Sequence, residues 1–222
     1  MTAHSAVRRP VFRTALILLA LVNLLALAAR IWHAGSGTDS NSISDPAISL
    51  AFYIVLALWI GSTRAEADRG WLLQAATLGV SGGVALICVV GIASLPMPDG
   101  FTLHYKLQAI LIGAAVLMWG IAAARIARAG RKLGFAVVAA IWSAMVSSLL
   151  ACSALLAQTY AKVGSDMVLD PWGPLQQRIM GPDSTQPLVH TLNAATGFLL
   201  IGPVVGCIAG ALSGFLFRRR SA

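Results

Sequence analysis

Two long apolar runs joined by a short basic turn decide the fold of this chain. Residues 103–158 read LHYKLQAILIGAAVLMWGIAAA, then RIARAGRK, then LGFAVVAAIWSAMVSSLLACSALLAQ. Each apolar run is long enough to cross a hydrocarbon core of about 30 Å as an α-helix. Backbone amides and carbonyls in lipid must find partners within their own segment, so both runs are predicted to be helical. The turn between them holds four cations and no acid, which is typical of a cytoplasmic connection.

The composition of the whole chain indicates a lipid environment. Of the 222 residues, 58% are hydrophobic and 11% are charged, and the mean hydropathy is +0.80. Soluble domains carry about 25% charged residues, so this chain lacks the polar surface that water requires. The net charge of +8 comes from short basic clusters between apolar runs. Membrane topology explains that pattern, and binding to nucleic acid is not predicted.

The same alternation continues along the chain and predicts an all-α, polytopic bundle of six transmembrane helices. The predicted helices cover residues 14–33, 47–63, 71–95, 103–124, 133–158 and 188–217, with an outer loop at 159–187. With both ends in the cytoplasm, twelve of the 16 Lys and Arg residues lie inside. This distribution predicts a multi-pass protein of the inner (plasma) membrane, with residues 1–222 forming one transmembrane domain. The alternative for the first run is a cleaved signal peptide, which would leave five spans.

Glycine recurs at a spacing of four residues in the last predicted helix. The positions are Gly202, Gly206, Gly210 and Gly214. A shorter stripe in the third helix contains Gly79 and Gly83, with Gly91 further along. Such a face lets a neighbouring backbone approach closely, so both stripes are predicted to pack helices. They can contact each other, another helix of the chain, a second copy, or a larger membrane complex.

Three histidines are predicted to lie near the outer membrane surface. His33 ends the first helix, His104 begins the fourth, and His190 begins the sixth. Two imidazoles at one depth on neighbouring helices can ligate haem b or exchange protons with a quinone. With aspartates from the loops they can instead bind a divalent metal. The simpler interpretation is that each histidine occupies the polar interface without any ligand.

No sequence motif specifies a reaction, so no catalytic residue is predicted. The nucleotide-binding, metalloprotease and serine-hydrolase signatures are absent from the sequence. No acid lies deep inside a predicted span, which argues against an ion-coupled transporter, although Pro203 predicts a kink of the kind that transporters use. The three cysteines are interpreted as small buried apolar residues, at Cys88, Cys152 and Cys207. The sequence favours an accessory or assembly subunit, with a redox subunit and a small-solute or ion transporter as alternatives.

Overall fold

The described part of the chain is helical apart from one turn. The computed structural model describes residues 11–34, 40–62, 70–93, 101–161 and 187–217. These residues form α1 (Val11–Ala34), α2 (Ser40–Ser62), α3 (Gly70–Ala93), α4 (Phe101–Arg128), α5 (Leu133–Ala161) and α6 (Pro187–Leu216). They contain no β-strand. The predicted all-α class is confirmed.

Four of the described helices are long and apolar enough to cross a membrane. Their spans are Gly70–Ala93, Leu103–Arg128, Leu133–Gln158 and Asn193–Leu216, each with a mean hydropathy of 2.0 or 2.1. The first two helices hold shorter apolar segments, Leu16–Ala29 and Pro46–Leu58. Crossing of the membrane by α1 and α2, and the cytoplasmic position of both ends, stay predictions.

Two helix ends differ clearly from the predicted bounds. The second helix begins at Ser40 and not near residue 47. Its polar residues predicted a loop, but Ser, Asn and Asp are also common where a helix begins. The fourth helix continues past residue 124 to Arg128, because cations stabilise the carboxyl end of a helix. It stops before Gly130, whose φ of 76° is a left-handed conformation that favours glycine.

The fifth helix lies at the centre of the described bundle. It contacts α1, α3, α4 and α6, while α2 packs against α1 and α6. Within its membrane-length segment 67% is buried, compared with at most 44% in the other three long helices. Its buried positions are mostly small residues, such as Ala140, Ala144 and Ser147. Small side chains let several neighbouring backbones approach one helix at the same time.

Large apolar side chains cover the outside of the bundle. Exposed Leu, Ile, Val or Phe residues occur on α1, α2, α3, α4 and α6, and none occurs on the described part of α5. An apolar surface this extensive is unfavourable in water, whereas in a bilayer it contacts acyl chains. The burial pattern therefore supports the membrane environment that the composition predicts.

Side-chain contacts show the relative directions of the long helices. The α4 and α6 helices run parallel, because Gly120 lies against Ser213 and Arg128 lies over Phe217 near both carboxyl ends. The α3 and α5 helices are also parallel to each other, with the Trp71 and Phe135 rings 5.9 Å apart near their amino ends. One end of the bundle thus holds the α4–α5 turn, residues 129–132, and is called the basic end below. The starts of α4 and α6 lie at the opposite end.

Candidate functional site

The predicted histidine site is partly described. His104 is half-buried near the start of α4. His33 lies in the last turn of α1 and His190 near the start of α6, but the side chains of both fall outside the described residues. Because α4 and α6 are parallel and in contact, His104 and His190 belong to the same end of the bundle. Their use as haem or quinone ligands stays a prediction.

The contacts at the basic end give the two histidines a relative height. If Gly120 is level with Ser213 and Arg128 with Phe217, then His104 is level with about residues 193–197 of α6. His190 then lies about 5–10 Å nearer the end of the bundle, at a rise of about 1.5 Å per residue. By this register, Asn193 and the turn after it come level with His104.

Metal-binding side chains are not gathered in the described structure. The residues that it covers contain no group of three His, Cys, Asp or Glu side chains that could hold a metal ion. The cysteines are all free, with Cys152 buried and Cys88 and Cys207 exposed. The predicted burial is therefore confirmed for Cys152 and is wrong for Cys88 and Cys207, which lie on outward-facing sides of their helices.

A buried serine of α5 joins three helices. The Ser147 hydroxyl accepts a hydrogen bond from Trp119 Nε1 of α4 at 3.0 Å. It also lies 2.7 Å from the Gly79 carbonyl of α3 and 3.0 Å from the Ser143 carbonyl of α5. A hydroxyl has one proton, so it donates to one of these two carbonyls at a time. The bonds to α3 and α4 depend on which side of α5 faces each neighbour, and one sequence does not show this.

Tyr53 of α2 supplies a hydrogen bond that Pro203 removes from α6. Proline has no N–H, so the carbonyl of Leu199, four residues earlier, has no helical donor. The Tyr53 hydroxyl donates to that carbonyl at 2.8 Å, and Tyr53 is fully buried. The α6 helix continues through Pro203 as one element and not as two half-helices. The kink predicted at Pro203, and the transporter hypothesis that rests on it, stay predictions.

The first helix is joined to α5 by a buried amide. Asn23 Nδ2 donates to Ser153 Oγ and to the Leu19 carbonyl, both at 2.9 Å. Ser153 donates in turn to the Leu149 carbonyl of α5, also at 2.9 Å. Interhelical bonds of this kind stabilise membrane bundles by about 0.6 kcal/mol on average. The hydrogen bond between Asn23 and Ser153 therefore stabilises the packing of α1 against α5.

The glycines of α6 lie against α5. A Cβ atom built on Gly206 would lie 2.8 Å from Ala144 Cβ, and one built on Gly210 would lie 2.9 Å from Val137 Cα. Gly202 and Gly214 likewise lie against side chains of α5. At such distances a side chain would overlap its neighbour, so the close approach depends on glycine.

The glycines of α3 also lie against α5, on a different face of that helix. A Cβ atom on Gly79 would lie 2.6 Å from the Ser143 carbonyl oxygen, and one on Gly83 would lie 2.5 Å from Leu150 Cδ1. The suggested contact between the two glycine stripes is not observed, because α5 occupies both of them.

Two glycines of α3 differ from the predicted stripe. Gly82, which the spacing missed, would place a Cβ atom 2.8 Å from Ser147 Oγ. Gly91 has no neighbouring atom within 4 Å of such a Cβ. Positions three and four residues apart share one helix face, and that rule would have selected Gly79, Gly82 and Gly83 together.

These features define the class of the protein. Four long apolar helices, an apolar outer surface and hydrogen bonds between buried polar groups describe an α-helical protein of the membrane. Comparison of the chain with protein-family models, with curated proteins and with solved structures finds no match.

Proposed function

We propose that this protein is an accessory or assembly subunit of the inner (plasma) membrane that presents a rigid helical surface to a larger membrane complex. In this proposal all six helices cross the bilayer and both ends lie in the cytoplasm. The observation that carries it is the enclosure of α5 by glycine contacts and interhelical hydrogen bonds. A bundle packed in this way holds its outer faces in fixed positions, as a subunit acting through its surface requires.

The basic end supports the proposed orientation. The turn between α4 and α5 and the last turn of α4 contain Arg125, Arg128, Arg131 and Lys132. At the opposite end of α4, Lys106 is the only Lys or Arg residue among the described residues. An excess of Lys and Arg marks the cytoplasmic side of a membrane protein, so the basic end is assigned to the cytoplasm.

Two native cysteines allow the partner surface to be mapped. Cys88 is exposed on α3 and Cys207 is exposed on α6, whereas Cys152 is buried in α5. Labelling of Cys152 would show that the reagent has reached the interior of the bundle, so this residue is an internal control. Variants Cys88→Ser and Cys207→Ser leave one exposed thiol each. A photo-crosslinker on the remaining thiol then samples one outer face in native membranes.

We expect one of the two faces to give a discrete adduct with a second membrane protein. We also expect that deletion of this chain lowers the amount of that protein in its assembled complex. A co-expressed, differently tagged copy of the chain identifies self-association. If both thiols give only monomer, and the protein extracted gently in lipid discs is a monomer, the accessory proposal is wrong.

A redox subunit is the second candidate, because parallel α4 and α6 bring His104 and His190 to one end of the bundle. The accessory proposal predicts no Soret absorption in protein made with haem supplied. The height difference argues against a haem held directly between these two residues. Lys106, which is exposed and lies two residues after His104 on α4, provides the control variant Lys106→Ala. A Soret band that is lost in His104→Ala but kept in Lys106→Ala would instead establish the redox function.

A further inference from the structure

The basic end of the bundle carries exposed cations next to exposed apolar side chains. We propose that this surface binds an anionic phospholipid, with its phosphate on the cations of the α4–α5 turn and its acyl chains against the end of α6. The inference rests on the membrane location in the proposed function, and it adds the chemical class of a bound partner. Its cations are Arg125, Arg128 and Lys132, which are exposed, and Arg131, which is half-buried.

The described helices around Arg125, Arg128 and Lys132 contribute no acidic side chain. Residues 70–93, 101–161 and 187–217, which form α3 to α6 and the turn, contain no Asp or Glu. Membrane orientation alone explains why cations are present, but it does not require them to be held in position. The local packing holds two of them.

Aromatic rings position the two central guanidinium groups. Arg128 lies over the Phe217 ring, with its Cζ 4.4 Å from the ring centroid. Arg131 lies 5.9 Å from the Phe135 ring, which itself packs edge-on against Trp71. A guanidinium held against a ring loses less freedom when it binds, and its planar donors match the oxygens of a phosphate. The geometry therefore favours a phosphate-bearing ligand over general attraction of anions.

The apolar half of the surface decides in favour of a lipid. Phe215, Leu216 and Phe217 are 77%, 72% and 41% exposed at the end of α6. Because Arg128 lies directly on Phe217, the apolar and the cationic parts are adjacent. A soluble phosphate or an acidic peptide matches the cations alone, whereas a phospholipid matches both parts. Cations at a membrane surface attract acidic lipids in this way.

The test is lipid retention by the full chain in lipid discs that contain phosphatidylcholine and phosphatidylglycerol. Native mass spectrometry measures which lipid stays bound. We expect the wild type to retain phosphatidylglycerol selectively. In Arg125→Gln/Arg128→Gln the apparent affinity is expected to fall about five-fold for each cation removed. The matched control Lys106→Gln, at the other end of α4, is expected to keep the selectivity.

Further arms separate the possible causes of a negative result. Arg125→Lys/Arg128→Lys keeps the charges but removes the planar guanidinium donors, so we expect its selectivity to lie between that of the wild type and that of the Gln variant. Because it preserves the charge of this surface, it also provides the test where the Gln variant folds poorly. Soluble glycerol phosphate is expected not to displace the lipid; displacement would identify a phosphate site and overturn the lipid assignment. Equal retention of both lipids by wild type, or an equal loss in Lys106→Gln, would also overturn it. Failure of the chain to integrate into membranes, measured separately by alkaline extraction, would instead reject the proposed function.

Discussion

Gly210→Ala and Gly79→Ala are expected to destabilise the bundle by about 1–3 kcal/mol each. A methyl group on Gly210 would lie 2.9 Å from Val137 Cα, and one on Gly79 would lie 2.6 Å from the Ser143 carbonyl oxygen. These neighbours are backbone atoms of α5, which cannot rotate away, so a whole helix must shift. The intrinsic preference of a helix for alanine over glycine, about 1 kcal/mol, opposes this effect and is smaller than it.

Gly197→Ala is the matched control on the same helix as Gly210. No atom lies within 4 Å of a Cβ built on Gly197. We therefore expect this substitution to leave the free energy of unfolding unchanged or to raise it by up to about 1 kcal/mol. Unfolding by SDS in mixed micelles, followed by tryptophan fluorescence, measures all three variants. Equal effects at positions 197 and 210 would show that α6 does not approach α5 as closely as described.

Tyr53→Phe is expected to lower the free energy of unfolding by about 1–2 kcal/mol. The substitution keeps the ring in the core but removes the hydroxyl that donates to the Leu199 carbonyl at 2.8 Å. That carbonyl has no amide donor within α6, because residue 203 is proline. It would then be buried without a partner, which accounts for most of the loss.

A double-mutant cycle tests whether Pro203 is the reason that Tyr53 is needed. In a Pro203→Ala background the amide of residue 203 can donate to the Leu199 carbonyl. Tyr53→Phe is then expected to cost at most about half as much as in the wild type. An unchanged cost in both backgrounds would mean that the tyrosine acts through ring packing alone. The same titration in mixed micelles supplies all four free energies.

The histidines show that helix rotation and register are not contained in a single sequence. Their distance from the helix ends predicted a common depth, and the parallel α4 and α6 do bring His104 and His190 to one end. Whether two such residues face each other depends on helix rotation and register, which the sequence does not contain. Extended along both helices, the register of the contacts at the end of α4 puts about residues 193–197 of α6, which begin one turn or more after His190, level with His104.

The glycine stripes show that a single sequence also does not identify which helix covers a given face. Their spacing predicted one face of each helix, because such a face follows from 3.6 residues per turn, but no atom lies within 4 Å of a Cβ built on Gly91. It did not tell which helix would cover that face. Gly82 was missed because the pattern was taken as a strict four-residue repeat, although a helix face also includes the third residue.

The sequence by itself determined that the chain forms apolar helices of membrane length, and approximately where each begins and ends. Hydrophobicity and the need to bond every backbone group within its segment are local properties, so they can be read from consecutive residues. Only the tertiary structure decided that α5 is the enclosed helix, that both glycine faces contact it, and that Tyr53 serves the carbonyl opposite Pro203. These outcomes depend on contacts between residues far apart in the chain. In a uniformly apolar helix several faces are equally suited to burial, and only side-chain packing selects among them.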